Sequence, residues 1–152
     1  MLKIDSQVEV VEGLKPGELP EEVLRSTRPL LLKGLVSDWP MVKAAKRSSV
    51  DAIDYLRDFY EGATVGIFFA GPETGGRYFY SDDVKGVNYQ RAMVKLDAVF
   101  DRIVENMGAP NPQHLYMGST TVDTCLPGFR QHNDISLGGR RALASIWLGN
   151  TT

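Results

Sequence analysis

The segment richest in reactive side chains is Gln131-His-Asn-Asp134, where His132 and Asp134 form a His-x-Asp pair. On an extended segment, side chains two residues apart share a face, the arrangement by which a 2-His-1-carboxylate iron site takes its first two ligands. Such a site needs a second His. None follows Asp134, and the other His in the chain, His114, lies upstream. The flanks, Leu126-Pro-Gly-Phe129 and Ser136-Leu-Gly-Gly139, have the composition of a loop. His132 and Asp134 are therefore expected on a surface loop, with Asn133 and Asp134 making turn hydrogen bonds and neither His132 nor Asp134 ligating a metal. Cys125, the single cysteine, would be a nucleophile only beside a base in an electropositive setting. His132 is near in sequence, but no third partner stands out, so an inert, partly buried thiol is expected. Gly71-Pro-Glu-Thr-Gly-Gly76 has neither GxGxxG nor a Walker lysine and precedes a strand, so it reads as a hairpin loop. Asp82-Asp83 suits a turn better than acid–base work, which needs a pocket to shift a pKa. No catalytic residue is assigned.

The aromatics carry more weight. Tyr78, Phe79 and Tyr80 read as one strand, with Tyr116 on another and Trp147 on the last. Alternation would put Tyr78 and Tyr80 on one face and Phe79 on the other. A Tyr hydroxyl aimed into a pocket can bind a carboxylate, although filling a core is the commoner use of such rings.

Composition bounds what these residues can serve. With 152 residues, 43% hydrophobic and 24% charged, the chain suits one globular domain. A net charge of −2 argues against a general nucleic-acid binder, and Lys43, Lys46 and Arg47 read as a solvated helix face. A single cysteine allows no internal disulfide. The N-terminus is too polar for a secretory signal, and no apolar run reaches the ~20 residues a membrane helix needs. No DNA and no membrane partner is expected, and the expected location is cytoplasmic.

The elements that must position these residues follow from periodicity and punctuation. Val8 to Val11 suggests a first strand, and Pro20-Glu-Glu22 starts a short helix ended by Arg28-Pro29. Leu30-Leu-Leu32 is apolar on both sides and is expected to be a strand buried in the core. Ser37 to Pro40 caps a helix to about Arg47. Ser48 and Asp51 form a capping-box variant opening a helix with Ile53, Leu56 and Phe59 or Tyr60 on one side. Thr64 to Phe69 and Arg77 to Tyr80 are expected to be strands of a hairpin. Leu96 to Asn106 is expected to be an amphipathic helix, with Leu96, Val99, Phe100 and Ile103 inward. His114 to Val122 and Arg141 to Leu148 are the remaining strands, separated by a loop from Cys125 to Gly139. The pattern is α+β, with helices clustered early and strands late.

Four segments, in order, resemble pieces of the cupin-like, JmjC-type domain. They are Arg28 to Pro40, Gly76 to Asp83, His114-Leu-Tyr-Met117 and Ser145 to Asn150. The resemblance implies an α+β fold in which N-terminal helices pack on part of a double-stranded β-helix (cupin or jelly roll) that is incomplete in this chain. Residues 1–152 would then be a single domain, the N-terminal portion of a longer JmjC/cupin-like domain. It also implies an Fe(II)- and 2-oxoglutarate-dependent dioxygenase, a hydroxylase, with both cofactors expected for the intact domain. Tyr116 is the one cofactor-binding residue it places here, facing 2-oxoglutarate. Some members carry Gln two residues after this Tyr, where this chain has Gly118. The family's His-x-Asp/Glu, its distal His and the basic residue that grips the cosubstrate would follow Thr152. No metal ligand is therefore transferred, and this chain alone is expected to bind neither cofactor and to be inactive. The exposed edge of the last strand would pair with a second copy or with the missing C-terminal half. The alternative is a non-catalytic cupin-like binding or dimerisation module; a small hydrolase or transferase using Cys125 or the acids ranks below both.

Overall fold

The computed structural model describes residues 7–137 and 142–150. The chain opens with strand β1 (Glu9–Glu12) and the short helix α1 (Glu21–Leu24), which Pro20 precedes as its N-cap. Strand β2 (Leu30–Lys33) then pairs in parallel with β1, Glu9 opposite Leu30. Here the sequence misleads. Leu30 and Leu32 are half-buried, but Leu31 is 53% exposed. The two strands make a sheet of their own, so alternation turns Leu31 outward. A three-leucine run marks a doubly covered strand only where a sheet has layers on both faces.

Helix α2 (Pro40–Arg47) begins with Pro at its first position, where the missing N–H costs nothing. Helix α3 (Ser49–Arg57) follows at once, and the Ser48 hydroxyl accepts the Asp51 N–H at 2.9 Å as its N-cap. The reciprocal half of the box is not made. The Asp51 carboxylate bonds the Ser48 hydroxyl and Arg47, while the Ser48 N–H donates to Ala44 O. Ile53 and Leu56 turn inward from α3, as their spacing requires.

The main sheet comes from the rest of the chain. Strand β3 (Thr64–Ala70) pairs antiparallel with β4 (Gln90–Lys95), helix α4 (Leu96–Asn106) follows, and β5 (His114–Thr121) pairs with the other side of β3. After the short helix α5 (Val122–Cys125), β6 (Ser145–Gly149) pairs with β5, giving the order β4-β3-β5-β6. Val65, Ile67, Leu115 and Met117 project from one face onto Leu96, Val99, Phe100 and Ile103 of α4, with Ile53 and Leu56 closing the core. The result is α+β, with α4 following β4 in the chain and packed on one face of the sheet.

Two expectations fail in this sheet. Arg77 to Tyr80 is no strand: Tyr80 makes one isolated bridge to Val87, and the partner of β3 is β4. Strand β4 has a legible alternation, with Ala92 and Val94 inward and Arg91, Met93 and Lys95 outward. The apolar Met93 and the run straight into α4 obscure it. The last strand begins at Ser145, after the non-strand residues 142–144. Arg141, where it was expected to start, lies outside the described residues, as do Gly138 and Gly139.

Candidate functional site

The side of the sheet away from α4 is the open face. Cross-strand register puts Arg91, Phe68, Tyr116 and Gly149 in one row across it, since Phe68 stands opposite both Arg91 and Tyr116, and Tyr116 opposite Gly149. Gly66 and Met93 form the next row, and Trp147, 57% exposed, stands on β6 beside the irregularity between Met117 and Thr120.

The rings on this face form a cluster. Phe68 stacks on Tyr116 with centroids 6.1 Å apart and meets Tyr89 edge-on at 5.4 Å. Tyr78 reaches in from the segment between β3 and β4 to touch both Tyr89 and Tyr116. Its hydroxyl points at the Phe68 carbonyl at 3.5 Å, and burial pushes its phenol pKa up, so Tyr78 stays a protonated donor. Phe79 and Tyr80, by contrast, are exposed. Tyr78 and Tyr80 do not share a sheet face as their spacing suggested, because they are not on a strand.

Two hollows flank the cluster. One, of about 290 Å³, is lined by Gly76, Tyr78, His114, Tyr116, Gly149 and Asn150. His114 is only 5% exposed, and its Nδ1 has no hydrogen-bond partner among the described residues. A buried orphan of this kind beside a hollow is a feature that a polar ligand would satisfy. Gly149 is required here: a Cβ would lie 2.8 Å from the Leu115 carbonyl oxygen, a backbone atom. Asn150 fixes the same corner, accepting the Leu115 N–H at 2.8 Å and donating to Gln113 O at 2.9 Å. The other hollow, of about 530 Å³, is floored by Gly66 and Gly118 and walled by Phe68, Arg91, Met93 and Thr120. A Cβ at position 118 would come within 3.2 Å of the Phe68 ring, so Gly118 leaves that ring its room.

The His-x-Asp pair is elsewhere and otherwise employed. His132 and Asp134 are exposed, and Arg130 holds Asp134 through two nitrogens at 2.7 and 3.1 Å while also bonding Asp123 at 3.0 Å. These two carboxylates, Asp134 first, raise the Arg130 pKa above its ordinary value. Asn133, expected in a surface turn, is instead 3% exposed. It accepts the Met41 N–H at the start of α2 and donates to Tyr55 Oη and Phe129 O. A helix N-terminus leaves N–H groups without partners, and the chain satisfies one of α2's with a side chain far away in sequence. Cys125 is buried in the core, and burial pushes its thiol pKa up, the opposite of what a nucleophile needs.

The comparisons with known proteins then bear on this arrangement. The cupin-like domain family matches residues 16–152. The chain belongs to that family. It is a cupin-like domain of the JmjC type, as the four segments indicated. Searches of curated proteins and of solved structures returned no match.

Within this cupin-like domain, the fit to the family's cofactors divides. Among the described residues no three His, Cys, Asp or Glu side chains are grouped to hold a metal ion, so these residues do not fit an iron site. Toward a polar cosubstrate they offer Tyr116 and the unsatisfied His114, which border one hollow. Phe68, Tyr89 and Arg91 were not among the expected site residues, and His114 entered only as a histidine upstream of the His-x-Asp pair. Phe68 and Arg91 had a readable signal, the alternation of β3 and β4. His114 had none, because nothing in its local sequence marks a histidine that ends up 5% exposed. Among the described residues, no helix is long and apolar enough to cross a membrane.

Proposed function

We propose that this cupin-like domain supplies the scaffold and one wall of the pocket of an Fe(II)- and 2-oxoglutarate-dependent hydroxylase, its sheet being part of a double-stranded β-helix. The observation that carries the reading is the open sheet face, where Tyr116, Phe68, Tyr78 and Arg91 converge on the side away from the core. A sheet with one face on its own core and a ring-lined face opposite is half of a layered site. Tyr116, 37% exposed, presents its hydroxyl for a 2-oxoglutarate carboxylate. Phe68 and Tyr78 hold its ring in place, and the ring cluster keeps water from that side of the ligand. With iron and O2 present, 2-oxoglutarate would supply two electrons by its oxidative decarboxylation to succinate, and O2 would be the oxidant that delivers one oxygen atom to the substrate. On this reading the metal ligands come from a complementing segment, and the chain alone does not turn over.

The partner we propose pairs along the exposed edge of β6, either a second copy or a complementing segment that brings the metal ligands. β6 is an outer strand of the sheet, and its sequence Ser-Ile-Trp-Leu-Gly has no charge to discourage pairing. The same edge favours the second reading, a non-catalytic dimerisation module.

The test is calorimetric titration of the chain with Mn(II), then with 2-oxoglutarate. The expected result is no metal binding in the micromolar range. Micromolar Mn(II) binding that disappears in His132→Ala would overturn the proposal. A complemented or longer form should convert 2-oxoglutarate to succinate and lose most of that activity in Tyr116→Phe. Absence of succinate formation from a complemented form that does bind Mn(II) would leave the dimerisation module.

A further inference from the structure

Arg91 is the charged group the ring cluster leaves unexplained. Its guanidinium lies over Phe68 at 5.3 Å and over Tyr89 at 5.5 Å, and one terminal N–H donates to Tyr89 Oη at 3.2 Å. Two rings and a hydroxyl thus fix the plane of the fork, so little rotamer entropy remains to be lost on binding. That single hydrogen bond is the one it makes among the described residues, although a guanidinium carries five N–H donors. Arg47, Arg57 and Arg130 each hold a carboxylate, whereas Arg91 makes no ion pair among the described residues. It borders the larger hollow, whose floor is Gly66 and Gly118 and whose far wall carries Thr120. Phe68 lines this hollow and not the one beside Tyr116, and its ring stacks on Tyr116.

We infer that Arg91 is a second anion-binding position on the open face, and that it takes a carboxylate of the substrate, distinct from the cosubstrate held at Tyr116. A planar guanidinium with free N–H donors matches a carboxylate through two parallel hydrogen bonds, which a neutral amide cannot reproduce. The two glycines beneath it leave depth for the stem that carries the carboxylate. A glutamyl side chain of a peptide and a free dicarboxylate share this chemistry. The inference rests on the hydroxylase reading only in naming that group as substrate; the anion site itself needs no metal.

The chain is labelled with ¹⁵N, and the Arg91 Nε–H resonance is followed by NMR during three titrations: acetyl-Ala-Glu-Ala-amide, its Gln counterpart, and 2-oxoglutarate. The Glu peptide should shift the resonance and bind at least roughly tenfold tighter than the Gln peptide, the preference expected of a charge-assisted pair. Arg91→Gln should erase that preference, read at the neighbouring Phe68 and Gly118 amides, and Tyr116→Phe should leave it intact. If 2-oxoglutarate alone moves the Arg91 resonance and neither peptide does, Arg91 serves the free dicarboxylate and the substrate assignment is overturned. Equal binding of the Glu and Gln peptides, or no shift with any of the three ligands, overturns the anion site. Arg91 is exposed, so the variant should fold, and Arg91→Lys, which keeps the charge without the fork, should fall between the two. Failure of the hydroxylase reading would show separately, in the Mn(II) titration.

Discussion

Asn133 is the sharpest test of whether residues 131–134 are structure or chemistry. It is buried and makes three hydrogen bonds, accepting from Met41 N at 3.0 Å and donating to Tyr55 Oη at 2.9 Å and Phe129 O at 3.0 Å. A net of about 1 kcal/mol each gives about 3 kcal/mol for Asn133→Ala, with more if the Met41 N–H is left dry. Tyr55→Phe removes one of the three and keeps the edge-on packing of Tyr55 on Phe59 and Phe129, so it should cost about 1 kcal/mol. His132→Ala, at an exposed position, should stay within about 0.5 kcal/mol of the parent. Urea unfolding followed by circular dichroism reads all three. With a slope of about 2 kcal/mol/M, Asn133→Ala should lower the midpoint by about 1.5 M. If Asn133→Ala and His132→Ala shift the midpoint equally, the claim that Asn133 ties this loop to α2 and α3 is wrong. A large loss in His132→Ala alone, restored by added Mn(II), would point back to a metal at the His-x-Asp pair.

Gly149→Ala should destabilise by about 2 kcal/mol, because the new methyl meets the Leu115 carbonyl and backbone cannot swing aside; an unchanged melting temperature would contradict this. Cys125 should resist alkylation by iodoacetamide at neutral pH in the folded chain and react in urea, since burial both shields the thiol and raises its pKa; rapid labelling of folded protein would refute the burial. Ser48→Ala should cost about 1 kcal/mol as a lost cap. The Ser48 hydroxyl, then Arg47, hold the Asp51 pKa below 3.8. Its stabilising contribution is therefore complete above 3.8 and fades as pH falls through the folded value. Carboxyl NMR should find the Asp51 pKa moving up in Ser48→Ala, and no movement would rule out the hydroxyl as the cause.

What the sequence determined by itself was local or ordered along the chain. The span of α4 from Leu96 to Asn106, its four inward residues and the Ser48 cap were all legible, because 3.6-residue periodicity and capping chemistry are decided within a few turns. The family was legible too, from four segments in order. The environment of each segment was decided by the tertiary structure. Leu31 is exposed because the β1-β2 sheet leaves that face of β2 uncovered, and Tyr78 entered the ring cluster from a loop because β4 took the place expected for Arg77 to Tyr80. Asn133 became a buried tie because α2 presents an unsatisfied N–H where the 131–134 loop passes. His114 is buried on β5 beside a hollow that Tyr78 and Asn150, distant in sequence, also line. Strand pairing and polar satisfaction join residues distant in sequence, and the energy that fixes them comes from partners a local window does not contain.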